Sequence, residues 1–400
     1  MGYKETKKLL ADQVDSIGCE MVPLEQAYGR ILGEDMTAGE NVPCFARSPY
    51  DGYAFCAADS SECGNGRTVS LAVIDQISAG EVSPKTVVRG TAIRLMTGAS
   101  LPEGADAICK YEETDYTENS VTLHKVYRSG ENVVAVGEDI KEGTLLARRG
   151  TVIDPGLIGT FASLGICEVK VHRRLKVGIL TTGDEVIKID KILTSGKIRN
   201  SNLYAMQAVL ARAGMDTVYI GHASDDVDDL CKWIETGEKE CDVIVSTGGV
   251  SMGDYDLVPD AMSWSGYTIL AQGVEIKPGM ACAYGWKGGR IMLALSGNPA
   301  SALTNLECVC MPALKKMAGY AEYDHKVFRA VLKEKYEKGA KGTRLLRGRL
   351  EYGDNGLTFI AAHKQENNVL SSFIGVNAYG MIVDCKDPIP AGYSIEVFVI

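Results

Sequence analysis

Between Leu175 and Met317 the chain alternates short apolar runs with amphipathic stretches of helical period, and few folds accommodate that order. The runs "LKVGILTTG", "TVYIGHA", "CDVIVSTGG" and "RIMLALSG" have the near-continuous apolar character of strands buried on both faces. Residues 201–213, 227–235 and 299–317 instead carry the pattern of amphipathic helices. Strand and helix in alternation predict a doubly wound α/β domain built on a parallel sheet.

The flanking segments have different characters. Leu9, Leu10, Val14 and Ile17 recur at helical steps, and a second helix is expected over Leu24 to Leu32. From Arg47 to Asp139 short strands such as "TVSLAVI", "TAIRLM", "ADAICKY" and "SVTLHKV" are divided by Gly, Pro and Asp, which predicts a β-rich insertion. Asp154 followed by Pro155 reads as an N-cap and first-turn proline, opening a short helix that closes near Gly165. After about residue 326, "FRAVLKEKY", "TRLLRGRLEY", "LTFIAA" and "YSIEVFVI" predict a small all-β domain. The chain is thus read as multidomain α/β plus β. Residues 1–46 and 140–173 form a discontinuous, helical N-terminal domain, 47–139 the inserted β domain, 174–326 the α/β domain, and 327–400 the C-terminal β domain.

Composition narrows the function. In 400 residues the net charge is −10, so the broad basic face that nucleic acid requires is not expected. No apolar stretch approaches the length of a membrane span, and "MGYKETKKLLADQV" lacks the apolar core of a signal peptide. The expected location is the cytoplasm. The 12 cysteines include no C-x-x-C pair and mostly sit in apolar context, as in "LECVC", which predicts reduced, buried thiols. His124, His172, His222, His325 and His363 show no ligand spacing.

Three strands of the α/β domain end in related loops: "TTGDE" (181–185), "STGGVSMGDYD" (246–256) and "LSGNPAS" (295–301). In a parallel sheet these ends share one edge, so the loops can surround one crevice. Thr182, Gly183, Ser246, Gly248, Gly249, Ser251, Ser296, Gly297 and Asn298 offer donors, and a helix opening at Pro299 favours an anion at its N-terminus. This is the pattern of a phosphate or pyrophosphate cradle. The same edge carries Asp184, Glu185, Asp254 and Asp256, with Asp225 and Asp226 at the end of a fourth strand. Such carboxylates repel a phosphate unless a divalent cation such as Mg²⁺ lies between them. Asp225 or Asp226 serves equally well as a helix cap, and Asp254 as a turn former. Lys277, next to Pro278 and Gly279, is a cation suited to the same ligand.

Taken in order, "SPYDGYA" (48–54), "RLMTGASLPEGADAI" (94–108), "GEDI" (137–140), "TTGDE", "STGGVSMGDYD", "IKPG" (276–279) and "SGNPAS" (296–301) resemble the MoeA family of molybdopterin molybdenumtransferases, which includes the E domain of gephyrin. The resemblance implies an elongated N-terminal domain, an inserted β domain, a MogA-like α/β domain and a C-terminal β-barrel, in a homodimer whose site uses both chains. It implies insertion of molybdenum from molybdate into adenylated molybdopterin with Mg²⁺-dependent release of AMP, the substrate coming from a MogA-like adenylyltransferase. It assigns Asp51, Asp139, Glu185, Asp225 and Asp256 to catalysis, with Glu185, Asp225 and Asp256 toward the metal. Thr97, Gly98, Lys277 and Pro299 would contact the pterin ligand.

The chain departs from the family pattern. Gly273 and Met280 stand where lysines are common, Ser296 replaces a proline, Tyr50 replaces a methionine, and "HKQENNVLSS" (363–372) lacks an expected Gly-Ser. Weaker oxyanion binding or a preference for tungsten would follow. The alternatives are a related enzyme acting on another nucleotide pyrophosphate and a degenerate copy that binds pterin or nucleotide as a scaffold.

Overall fold

The computed structural model describes residues 1–251, 257–353, 356–385 and 387–400. Backbone contacts divide the chain into two units, residues 1–34, 149–154 and 168–400 in one, and 35–148 with 155–167 in the other.

The first unit contains the alternating segment. Its elements are β1 (Lys176–Thr182), α1 (Ser201–Arg212), β2 (Asp216–Ala223), α2 (Val227–Glu240), β3 (Val243–Thr247), α3 (Val258–Trp264), β4 (Thr268–Gln272), β5 (Cys282–Lys287), β6 (Arg290–Leu295), α4 (Pro299–Asn305) and α5 (Met311–Met317). The sheet order is β2-β1-β3-β6-β5-β4. The four strands anticipated from the apolar runs are mutually parallel, β1 lying between β2 and β3, and β3 pairing with β6. Val177, Ile179, Leu180, Val245 and Leu293 are fully buried within it. The strand order turns between β1 and β3, and crevices form at such switch points.

Two findings modify the expected sheet. β5 and β4 extend it antiparallel, so it is mixed. The connection from β5 to β6 is the tight turn Gly288-Gly289, with φ of 54° and 92°, which only glycine adopts without strain. The stretch 299–317 is a continuous helical rod, but α4 and α5 are separated by a π-helical turn at Leu306–Cys310.

The N-terminal segment also differs from its reading. A helix covers Tyr3–Gln13, whereas Leu24–Gln26 forms one 3-10 turn and Ile31 and Leu32 make isolated bridges to Val152 and Val171. The second helix is absent because Pro23 precedes it and Gly29 adopts φ 72°, a left-handed conformation that ends a helix. Cys19–Pro23 pairs antiparallel with Glu168–His172 instead. At the far end, strands Thr343–Gly353, Gly356–Ala361, Val327–Leu332, Ser394–Val399 and Ala378–Val383 pair in that order, and the last pairs back with the first. This closed five-stranded barrel leaves no free edge.

The second unit is built on a six-stranded sheet in the order Ala107–Lys110, Gly52–Phe55, Thr91–Leu95, Val69–Ile77, Ser120–Leu123, Asp115–Tyr116. Tyr53, Phe55, Leu71, Val121 and Leu123 fill one side and Ile77, Ile93, Leu95 and Ile108 another. Helix Pro155–Ser163 ends as expected, with Gly165 at φ 68°. All 12 cysteines are free thiols, half of them buried and Cys19, Cys44 and Cys167 exposed.

Candidate functional site

A cleft of about 790 Å³ opens at the carboxyl edge of β1, β3 and β6. Thr182, Gly183, Gly248, Gly249, Ser251, Ser296, Gly297, Asn298 and Pro299 line it together, with Glu185 and Asp225. Thus most of the cradle drawn from the three loops is assembled in one place. Two glycines are required by geometry. Gly183 has φ 107°, and a Cβ there would lie 2.5 Å from Glu185 Oε2, so the carboxylate folds over its own turn. Gly248 has φ 103°, and a Cβ would lie 2.4 Å from Thr182 Oγ1.

The loops are joined by side chains the sequence reading did not single out. Asn200 caps α1, accepting from Leu203 N at 3.2 Å, and donates to Thr181 Oγ1 at 3.2 Å. Asn202 donates to Thr247 Oγ1 at 2.8 Å and to Gly297 O at 2.9 Å, and Thr247 Oγ1 donates to Ser296 O at 3.0 Å. Asn202 Oδ1 is buried without a hydrogen-bond partner among the described residues. Such an orphan acceptor is costly unless a ligand or water satisfies it. Arg199, Asn367 and Asn368 complete the wall, the last two supplied by the loop before the final barrel strands. That loop is fixed from both ends. Ala300 N donates to Asn367 O at 3.0 Å, and the buried Arg347 donates to Lys364 O at 3.3 Å and Glu366 O at 3.2 Å. The only local signal for Asn200 and Asn202 was their position at a helix start, in "RNSN".

The acids separate by role. Asp226 is the N-cap of α2, its side chain accepting from Asp229 N at 2.9 Å. Asp225 is left at the cleft, where partial burial, then the charges of Asp184 and Glu185, raise its pKa above the ordinary carboxylate value. A carboxylate whose pKa is raised by burial and by neighbouring negative charge marks a place that favours a cation or a proton. Among the described residues no group of three or more His, Cys, Asp and Glu is arranged to hold a metal, so the acids available here are this crowded edge set. Asp254 and Asp256 lie outside the described residues.

Other candidates fall elsewhere. Ser246 is fully buried in β3 and does not line the cleft. Lys277 is exposed in a short strand, Ile276–Lys277, that pairs with the start of Thr343–Gly353, and it is not among the cleft residues. Met280, which is 66% exposed, does line the cleft. Asp51, Thr97, Gly98 and Asp139 belong to the second unit. There Asp51 Oδ1 accepts from Thr97 N at 2.6 Å and Thr97 Oγ1 at 2.7 Å, bonds that lower its pKa. Gly98, with φ 85°, donates to Ser48 O at 2.8 Å, and Asp139 N donates to Val42 O at 3.1 Å.

The chain is similar to known proteins along nearly its whole length. Residues 1–165 match the family described as MoeA N-terminal region (domain I and II), and residues 178–316 match the probable molybdopterin binding domain. A molybdopterin molybdenumtransferase of Staphylococcus aureus is 32% identical over 394 residues, covering 98% of this chain and 94% of the relative. One from Staphylococcus epidermidis is 33% identical over 400 residues, covering 99% and 95%. The crystal structure of the molybdopterin biosynthesis MoeA protein from Pyrococcus horikoshii superposes with a TM-score of 0.86 at 28% identity, covering 100% of both chains. The mixed α/β cleft domain, the closed barrel and these matches along nearly the entire length lead to one conclusion: the chain belongs to the MoeA family of molybdopterin molybdenumtransferases.

Proposed function

We infer that this chain is a molybdopterin molybdenumtransferase of molybdenum cofactor biosynthesis, inserting molybdenum from molybdate into adenylated molybdopterin with release of AMP. One observation carries the reading at the level of chemistry: an amide- and hydroxyl-lined cradle faces the crowded carboxylates Glu185 and Asp225 across one cleft.

The donor set fits Mg²⁺. Its hard oxygen ligands, the partial burial and neighbouring negative charge that raise the pKa of Asp225, and the folding of Glu185 over Gly183 all suit a small divalent ion that keeps several waters and shares phosphate oxygens. Glu185 and Asp225 would hold it, with Asp256 as the third acid. When bound, the ion would offset phosphate charge and polarise the scissile phosphoryl group. The chain's own residues do the positioning. The backbone N–H of Gly249 and the N-termini of α1 and the 299–317 rod donate to phosphate oxygens, whereas Gly248 N–H is held by Leu295 O at 2.9 Å and Asn298 N–H by Ser296 Oγ at 3.2 Å, which shape the loops. Asn202 Oδ1 accepts from a ligand donor, meeting its own unmet need. Asn367 and Asn368 close the far wall. Asp51 and Asp139 are proposed as further catalytic acids, and Thr97, Gly98 and Lys277 as contacts to the pterin ligand.

The assembly is proposed as a homodimer fed by a MogA-like adenylyltransferase. Domains at 1–46 with 140–173, 47–139, 174–326 and 327–400 are the proposed partition. No helix among the described residues is long and apolar enough to cross a membrane. Equilibrium binding of adenylated molybdopterin tests the reading. Affinity is expected to rise with Mg²⁺ in the natural chain and to lose that dependence in Asp225→Asn. Absence of binding with or without Mg²⁺ would overturn it.

A further inference from the structure

A second cavity, of about 280 Å³, lies at the other end of the two helices that floor the cleft. α1 begins at the cleft with Ser201 and Asn202 and reaches this cavity with Val209 and Arg212. The 299–317 rod begins at the cleft with Pro299 and Ser301 and, past its π-helical turn, presents Glu307, Met311 and Lys315 to the cavity.

Arg212 and Lys315 line the cavity together with the Glu307 carboxylate and the last residue, Ile400, and among the described residues no ion pair joins Lys315 to either. Glu307 is 3% exposed and already engaged, accepting from Arg212 at 2.5 Å and from the Tyr379 hydroxyl at 2.5 Å. Lys315 is half-buried and makes no ion pair among the described residues, its ammonium lying 5.7 Å from the centroid of the Tyr320 ring. Burial, then the neighbouring Arg212 charge, lower its pKa. A third polar group is also unmet. The His325 side chain is 6% exposed, and its Nδ1 has no hydrogen-bond partner among the described residues, the Asp324 carboxylate standing 3.7 Å away.

A cation in the last turn of a helix is ordinarily explained by the helix dipole. That explanation covers Lys316, whose ammonium reaches Ala11 O at 2.7 Å. It does not explain sinking Lys315 into a cavity beside Arg212, whose charge is already met by Glu307, because a half-buried ammonium without an anion costs free energy.

We propose that this cavity is a second binding site, for a small organic anion whose oxyanion head lies between Lys315 and Arg212 and whose apolar flank packs on Val209 and Met311. The site is independent of turnover at the cleft, so its test stands apart from the transferase reading.

Benzoate is the probe, with benzyl alcohol as its uncharged counterpart, titrated calorimetrically into the full chain. Saturable binding of one benzoate per chain is expected, at least tenfold tighter than benzyl alcohol. Lys315→Gln should weaken it about tenfold, the scale of one charge-assisted contact. Val209→Phe, which fills the cavity without touching a charge, should abolish it while the thermal midpoint is maintained. No saturable benzoate binding to the natural chain, or equal affinity in both variants, would overturn the proposal. The comparison of the two probes needs no variant, so a misfolded mutant leaves the test intact.

Discussion

Met280 presents a thioether to the cleft proposed to receive an anionic ligand, while Gly273, the other position without a family lysine, adopts φ 74°. The two are therefore unequal. Met280→Lys adds a cation at an exposed position with no backbone cost, and it should tighten molybdate or adenylated-pterin binding several-fold in a salt-dependent manner. An unchanged dissociation constant at low salt would count against that. A lysine at 273 must also hold left-handed backbone, a strain of about 1–2 kcal/mol. Gly248 carries a stronger constraint, since its Cβ would press on Thr182 Oγ1. Gly248→Ala should cost about 1–3 kcal/mol in unfolding free energy and disable the cleft together. Denaturant unfolding and ligand binding measured on the same sample would check this.

At the scale of elements, the start of α2 separates a structural acid from a functional one. Asp226 caps the helix, so Asp226→Ala should lower stability by about 1 kcal/mol and leave Mg²⁺ dependence in place. Asp225→Asn should do the reverse, removing like-charge repulsion and thus leaving stability equal or slightly higher, while weakening Mg²⁺ binding. The pH dependence has a definite sign. Because partial burial, and then its acidic neighbours, raise the pKa of Asp225, protons compete with the cation there at a higher pH than at an ordinary carboxylate. Cation affinity is then lost as pH falls through that raised value. Titrations of Mg²⁺ at successive pH values would show the midpoint fall toward the usual carboxylate range if Asp225 plays no part.

The same scale shows what the sequence makes legible. Buried parallel strands and the helices between them are written as apolar runs and helical periods, so four strands, their loops and most of the cradle could be read directly. Even the rod over 299–317 was legible, although nothing in "LECVC" marks its π-helical turn. Gly288-Gly289 carries a hairpin signal, but the strand before it, "CAYGWK", is interrupted by glycine and does not read as an apolar run. The expected helix at 24–32 failed for the opposite reason, since its periodicity was real but Pro23 and Gly29 prevail over it. Asn202, Asn367 and Asn368 were hidden because their roles depend on tertiary closure rather than local pattern.

At the scale of the whole chain, the C-terminal barrel is tied to the chemistry through Arg347. This side chain is fully buried in the barrel and holds the carbonyls of Lys364 and Glu366 beside Asn367. Arg347→Met should cost about 1.5–3 kcal/mol for charged hydrogen bonds and loosen the wall formed by Asn367 and Asn368. Hydrogen exchange would show reduced protection in 363–368; protection unchanged there would mean that Arg347 is only a barrel residue. The central claim is the transferase chemistry itself, and its direct measurement follows AMP release and metal-loaded cofactor together, with adenylated molybdopterin, Mg²⁺ and either molybdate or tungstate. Transferase chemistry requires oxyanion-dependent AMP release with metal incorporation, abolished by Glu185→Gln and retained by Asp226→Ala. Tight pterin binding without AMP or loaded cofactor, or full activity in Glu185→Gln, would contradict it.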